Sequence, residues 1–338
     1  MTKQIDPPGS AAGGAFPPEY SYSERIPNQI DIEFERLMDF IKKWTVSQMK
    51  DAVIRNLNHF RDTDNANYTA TVNYFNHYKL WGEYYPKRDI FELAENRAKA
   101  LVEHREDFEW LYGRLCDCRS KRVLTNILSY WLMSDHRKIR QLRDKLFGQY
   151  FDLDLIRCCK DEVFVDIGAF VGDTLIDYTN TFGSDCYKKI YCYEISPANI
   201  QCIKNNIELF KLKNVVLRAK GAGSKSGLLY LSGDSVSPVG KLSGTGEIKV
   251  PTVAIDEDID EPVTFIKMDI EGAEEQALLG CRKKIAESHP KLALSVYHNH
   301  RDLWRLARIV DFVDPSYRFY LRYCGEDLLP TEYLLYAL

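Results

Sequence analysis

Apolar residues recur at helical spacing through the first 150 positions, then give way near position 160 to short apolar runs separated by amphipathic stretches. Phe34, Leu37, Met38, Ile41 and Trp44 form the first helical stripe, and Ile90, Leu93, Ala94, Leu101 and Val102 a second. Val123, Leu124, Ile127, Leu128, Trp131 and Leu132 make a third, and Ile139, Leu142, Leu146 and Phe147 a fourth. Stripes of this kind are read as core. The later runs predict strands at Val163–Asp166, Ile190–Glu194, Val215–Arg218, Thr264–Asp269, Leu292–His298, Tyr317–Tyr323 and Tyr333–Ala337. Between them lie helical stretches. One opens at Ser196-Pro197 and continues through Ile200, Ile203 and Ile207; others carry Ala277, Leu278, Cys281 and Ile285, or Leu303, Leu306, Ala307 and Val310. Strands alternating with helices specify a mostly parallel sheet covered on both faces.

Three segments depart from this rhythm. Residues 1–28 are rich in Pro, Gly, Ala and Ser and predict a disordered tail. Residues 66–86 concentrate Tyr68, Tyr74, Phe75, Tyr78, Trp81, Tyr84 and Tyr85, which suit packing first and sugar stacking second. From 221 to 256, Gly221, Gly223, Gly227, Gly233, Gly240, Gly244 and Gly246 flank two strand-like runs, Leu228–Leu231 and Glu247–Val253. That composition predicts an inserted hairpin with a loop near 233–246. The organisation expected is therefore a tail (1–28), an α-helical domain (29–148) and an α/β domain (149–338).

With 338 residues and a formal charge of −4, the chain has room for two domains and no basic stripe for nucleic acid. Nine cysteines without zinc-ligand spacing suit reduced thiols. The N-terminus lacks the apolar core of a signal peptide, and no apolar run approaches the roughly 18 residues of a membrane span. A cytoplasmic protein without a membrane span is expected; a homo-oligomer is compatible with this composition.

The richest stretch is VFVDIGAFVGDT, residues 163–174. A strand ending at Asp166 enters a turn from Gly168 to Gly172 that opens a helix, and Glu194 ends the next strand. A Gly-rich strand-to-helix turn followed by an acidic strand end is how doubly wound sheets hold a nucleoside. Glycine in the turn is expected where the backbone passes close to the ligand. A dinucleotide site would need glycine where Phe170 stands, and a triphosphate loop would need lysine where Asp173 stands. Asp173 at a helix N-terminus also repels phosphate. A ligand without phosphates fits best, and S-adenosylmethionine has none.

VDIGAFVGDT resembles motif I of the class I methyltransferases. FIKMDIEGAEEQALLG (265–280), SVYHNHRDL (295–303) and TEYLLYA (331–337) resemble successive blocks of the FkbM family of S-adenosylmethionine-dependent O-methyltransferases. The resemblance covers about residue 150 to the end. It implies a Rossmann-like doubly wound class I methyltransferase sheet behind the N-terminal helical domain. It further implies that Asp166, Gly168, Ala169 and Gly172 line the methionine end of the cofactor and that Glu194 accepts both ribose hydroxyls. Thr174 and Ser196 either touch the cofactor or cap helices, and the adenine lies against Ala219, Lys220 and Gly221.

Lys267, Asp269, Glu271 and Glu274 fall at the end of the fourth strand, where such sheets place ligands. Strand alternation sets Lys267, Asp269 and Glu271 on one side if the strand persists that far. Asp269 is the leading acidic catalytic or orienting residue, with Lys267 beside it. Asp269, Glu271 and Glu274 are also candidate ligands for a divalent metal. His298, at the end of the fifth strand, is the candidate base, ahead of Tyr297 and His300. The expected reaction is O-methylation of a hydroxyl on a small-molecule, sugar or glycan-like acceptor. The alternatives are N-methylation of a small molecule and a catalytically silent binding protein of the same fold.

Overall fold

The computed structural model describes residues 26–338 apart from 80, 144–145, 233–240, 244–247, 327–328 and 330. The tail expectation, up to residue 25, and most of the 233–246 loop lie outside the described residues.

Local chemistry explains where the first helices begin. Helix Gln29–Ile41 starts at Asn28, whose side chain accepts the N–H groups of Ile30 and Asp31 while Asp31 accepts the Asn28 N–H in return. Thr45 and Gln48 repeat that arrangement at helix Val46–Thr63. Helices Asn65–Tyr78, Glu92–Glu103, Arg105–Arg114 and Cys118–Met133 follow. Two of the four stripes break. Ile90 lies in a two-residue strand before helix Glu92–Glu103. The helix over the fourth stripe spans only His136–Arg140; the chain then tightens, Leu142 bonding back to Ile139, and Leu146 is exposed.

The main sheet has seven strands: β1 (Val163–Ile167), β2 (Lys189–Tyr193), β3 (Val215–Arg218), β4 (Phe265–Met268), β5 (Lys291–Ser295), β6 (Phe319–Tyr323) and β7 (Tyr333–Ala337). Their spatial order is β6-β7-β5-β4-β1-β2-β3. β3 through β5 are parallel, and β7 runs antiparallel to both β5 and β6. The chain winds outward from β1 to β3, then returns to lay β4 on the other side of β1. The β1–β4 pair is thus the topological switch point, where open α/β sheets bind ligands. The fold is a Rossmann-like doubly wound sheet.

Alternation along each strand divides the core. Val163, Val165, Ile167, Leu292 and Leu294 belong to one apolar cluster, which also contains Phe34, Leu57 and Trp131 of the N-terminal helices. Phe164, Ala293, Leu334 and Tyr336 belong to the cluster on the opposite face. The helical region is therefore continuous in its core with one face of the sheet. Polar contacts fix its seating. Arg322 of β6, almost fully buried, pairs with Asp117 and Asp152 at 2.7 Å each, and Trp81 Nε1 donates to the Tyr297 carbonyl at 2.9 Å.

The 221–256 insertion is more than a hairpin. Strands Gly227–Ser232 and Ile248–Val253 pair antiparallel as expected. Lys241–Ser243 and Gly221–Ala222 extend them to a four-stranded sheet of its own. All nine cysteines are free. No helix among the described residues is long and apolar enough to cross a membrane.

Candidate active site

Three backbone hydrogen bonds align the rim above the strand ends. The Asp269 N–H donates to the Ile167 carbonyl, the Gly168 N–H to Tyr193 and the Glu194 N–H to Arg218, at 3.0, 3.0 and 3.1 Å. Asp269, Gly168, Glu194 and Ala219 therefore stand side by side across four strands. The sequence-predicted residues converge on one edge of the sheet.

Gly168 is required by a contact that the sequence pattern does not display. Its φ is +82°, and a Cβ there would lie 1.9 Å from the Asp269 carbonyl oxygen. The close approach that demands glycine is therefore to the β4 backbone of the protein itself. Gly172, at φ +86°, has ordinary room toward Ile203 and is required by its dihedral alone. Phe170, between them, also has positive φ and is partly exposed. The turn presents few free donors. Gly168 and Ala169 both donate to the Tyr193 carbonyl, and Gly172 donates to Ala169 at 2.7 Å. A phosphate cradle needs such N–H groups free.

Asp166 is fully buried, and Lys267 Nζ lies 3.0 Å from its Oδ1. Lys267 also donates to the Gly168 carbonyl at 2.7 Å. Burial pushes the Asp166 carboxyl up to about 6 against the pull of Lys267. Burial likewise opposes the Lys267 ammonium, but Asp166 and Asp269 outweigh it and hold its pKa above the usual value. Lys267 is thus a clamp between β4 and the β1 turn. Oδ2 of Asp166 has no hydrogen-bond partner among the described residues.

Glu194 uses one oxygen to shape its own loop: Oε1 accepts the N–H groups of Ile195 and Ser196 at 2.8 Å each. Oε2 takes no part in those bonds. Ser196 caps helix Pro197–Leu209, and Thr174 is buried in the first turn of helix Asp173–Phe182. Lys220 is drawn to Asp258, 2.6 Å from its Oδ1, while Gly221 enters the small sheet.

Two strand ends fall short of the sequence expectation. β4 stops at Met268, and Glu271 sits at φ +57° followed by Gly272 at φ +99°. Glu271 therefore reaches the rim through a left-handed turn, with no help from strand alternation. β5 stops at Ser295, and His298 lies three residues beyond it. There His298 is buried amid carboxylates: Nδ1 is 2.8 Å from Glu274 Oε1, and Nε2 is 3.3 Å from Asp269 Oδ1 and 3.6 Å from Glu271 Oε2. Burial alone would lower the ring's pKa, but Glu274, Asp269 and Glu271 raise it to about 10. Burial raises Glu271 to about 7. At neutral pH the ring carries a proton, so action as a base requires that proton to leave first. Tyr297 is buried and its hydroxyl donates to the Glu332 carboxylate, while burial lowers His300 to about 4.

Tyr150 was not singled out in the sequence. Its hydroxyl donates to Asp269 Oδ2 at 2.6 Å, Lys267 Nζ sits 5.0 Å from its ring centroid, and its φ is +68°. Gln149 beside it donates to Glu332 at 2.7 Å and to the Tyr150 hydroxyl at 3.1 Å. No periodicity marks either residue; the positive φ that aims Tyr150 is invisible in sequence. The ligand atoms of Asp269, Glu274 and His298 lie within 4.8 Å of one another. Glu274 thus joins the group through His298, across the rim from Glu271.

Comparison with known proteins shows what this region is similar to. The family model for the methyltransferase FkbM domain matches residues 166–328. The crystal structure of methyltransferase FkbM from Methylobacillus flagellatus KT is similar with a TM-score of 0.62 at 26% identity, covering 73% of this chain and 62% of that one. This chain therefore spans less than two thirds of that relative's length. The structure of precorrin-6y C5,15-methyltransferase from Geobacter metallireducens GS-15 is similar with a TM-score of 0.32 at 20% identity, covering 55% of this chain and 85% of that one. No curated protein matches. The matched residues run from the buried aspartate of β1 to just past β6 and include Gly168, Glu194, Asp269 and His298, so this part of the chain is similar to the methyltransferase FkbM domain.

Proposed function

We propose that this protein is an S-adenosylmethionine-dependent O-methyltransferase acting on a hydroxyl of a sugar or glycan-like acceptor. The observation that carries the reading is the alignment of Asp269, Gly168, Glu194 and Ala219 along one rim at the switch point. The donor set suits this cofactor. The N–H groups of Gly168, Ala169 and Gly172 are consumed internally, which disfavours phosphate, whereas Asp166 Oδ2 is left as an acceptor and Glu194 Oε2 takes no part in the bonds to Ile195 and Ser196 N–H. A sulfonium, an ammonium and two ribose hydroxyls are what carboxylates of this kind recognise.

S-adenosylmethionine, once bound, supplies an electrophilic methyl group. The chain's part is to orient and to manage one proton. Glu194 holds the ribose, and Asp166, fixed by Lys267, faces the methionine end. Tyr150 locks Asp269 at the rim, where the acceptor oxygen must approach in line with the methyl group; such alignment supplies much of the rate. The hydroxyl proton passes to the carboxylates that flank His298, of which Glu271 titrates near neutral pH.

The acceptor's remote part has a place to bind. A cavity of about 720 Å³ is lined by Asn73, Tyr74, Asn76, His77, Tyr78 and Tyr85 on helix Asn65–Tyr78 and beyond. Aromatic faces and amides are the chemistry of sugar recognition. Tyr74 ties this cavity to the rim: burial pushes its hydroxyl up to about 12, and the charges of Glu332 and Glu271 add to that shift.

Incubating the protein with S-adenosylmethionine and a panel of sugars, nucleotide sugars and glycans tests the reading by mass spectrometry. A product one methyl group heavier, with the methyl on oxygen, supports it; methylation confined to amines would replace it. The carboxylate-rich rim gives that second outcome a physical basis, since carboxylates also hold a cationic amine.

A further inference from the structure

The two ring nitrogens of His298 face different carboxylates. Nδ1 lies 2.8 Å from Oε1 of Glu274, whereas Nε2 lies 3.3 Å from Oδ1 of Asp269 and 3.6 Å from Oε2 of Glu271. Only 1% of the His298 side chain is exposed, and neither ring nitrogen makes a hydrogen bond of good geometry, but Nδ1 has a carboxylate oxygen at 2.8 Å whereas Nε2 has none nearer than 3.3 Å. Oδ1 of Asp269 is equally closed to water and makes no hydrogen bond either. Buried polar atoms left in this way are costly, and they call for a partner.

The separations have a meaning. Neighbouring ligands about 2.1 Å from a common cation lie roughly 3.0 Å apart in an octahedron and 3.4 Å apart in a tetrahedron. The distances from Nε2, 3.3 and 3.6 Å, lie on either side of the tetrahedral value. The surrounding contacts also leave the right atoms free. Tyr150 takes Oδ2 of Asp269, which turns Oδ1 toward His298. Glu274 is anchored by the Ile270 N–H at 2.9 Å and holds the ring from its far nitrogen. A carboxylate on the far nitrogen of an imidazole is how metal-bound histidines are oriented.

We propose that His298 Nε2 and Asp269 Oδ1, with Glu271 in reach, form a binding site for a divalent first-row transition cation such as Mn²⁺. Glu274 is its outer-shell orienting residue. An imidazole in the donor set favours such an ion over Ca²⁺, which takes oxygen ligands. The cation would lie on the rim that an acceptor oxygen must reach, where it would favour the deprotonated oxygen. The site stands on its own donor atoms and does not depend on methyl transfer.

Electron paramagnetic resonance of the full chain titrated with MnCl₂ alone tests this. The expected result is one bound Mn²⁺ per chain, with nitrogen coupling from a directly bound imidazole, that withstands about a tenfold excess of Ca²⁺. Asp269→Asn is expected to lose the ion and Glu274→Gln to bind it about 10- to 100-fold more weakly. No bound Mn²⁺ at millimolar metal, or bound Mn²⁺ without nitrogen coupling, would overturn the proposal, and both are read on the wild type. Calorimetry with S-adenosylmethionine on the same sample separates the two readings. Mn²⁺ binding without cofactor binding keeps the metal site and removes the transferase assignment; cofactor binding without Mn²⁺ does the reverse.

Discussion

Asp166 and Lys267 are register partners across the β1–β4 pair, and their side chains meet with Nζ 3.0 Å from Oδ1 in the interior of the sheet. Both are almost completely buried. The pair sits at the point where the winding of the sheet reverses, so it fixes the distance between the β1 turn and the β4 rim. Removing one member leaves the other as an uncompensated buried charge, at a cost of about 3–5 kcal/mol. Lys267→Met should therefore lower the urea midpoint sharply. The double variant with Asp166→Leu should recover part of that loss.

The two glycines of the turn should respond differently to alanine. Gly168→Ala drives a Cβ into the Asp269 carbonyl, which is backbone and cannot move aside. Gly172→Ala meets only ordinary contacts and pays the dihedral strain, roughly 1 kcal/mol. Thermal melting should show a modest shift for Gly172→Ala and little folded protein for Gly168→Ala. Equal effects would mean that the turn does not rest on β4 as described.

Tyr150→Phe keeps the ring against Lys267 and deletes the bond to Asp269 Oδ2. Loss of a hydrogen bond to a charged group is worth on the order of tenfold or more. Methyl transfer should fall by about that factor while cofactor affinity stays within a few-fold. A drop in cofactor affinity with unchanged turnover would instead place Tyr150 in the binding of the cofactor.

Glu261 is a sensor of acid. Its carboxylate lies 2.7 Å from Lys188 Nζ, 2.6 Å from Lys189 Nζ and 2.9 Å from the Tyr191 hydroxyl. The bonds from Lys188 and Lys189 draw its pKa down to about 2. An unfolded glutamate titrates near 4.3. The folded pKa is the lower of the two, so the contribution is complete above the unfolded value and disappears as pH falls from about 4.3 to about 2. Over that window the wild type should lose more stability than Glu261→Gln, as read from denaturant midpoints at successive pH values.

Much of this architecture was legible in the chain. Val215–Arg218 and Tyr333–Ala337 coincide with β3 and β7, because short β-branched and aromatic runs are unambiguous once the surrounding rhythm is set. Strand ends and the glycine turn point to one edge of the sheet for Asp166, Glu194 and Asp269, and the structure sets their segments there. Alternation failed where the strand itself ended. Glu271 arrives through a left-handed turn and His298 through three residues beyond β5, and neither geometry has a periodic signature. Tyr150 was missed for the same reason: it acts across 119 positions of sequence through one hydroxyl. The fourth apolar stripe misled in the opposite direction, since spacing without a continuing helix does not bury Leu146.

Calorimetry on wild type and Glu194→Ala decides whether the rim of Asp166, Gly168 and Glu194 holds S-adenosylmethionine. Glu194 binds its own loop through Oε1, and in the proposed complex the ribose hydroxyls go to Oε2. The predicted result is saturable binding by the wild type and affinity about 10- to 100-fold weaker in the variant, with circular dichroism confirming that both are folded. Absence of binding by the wild type, or equal affinity in the two proteins, would contradict it.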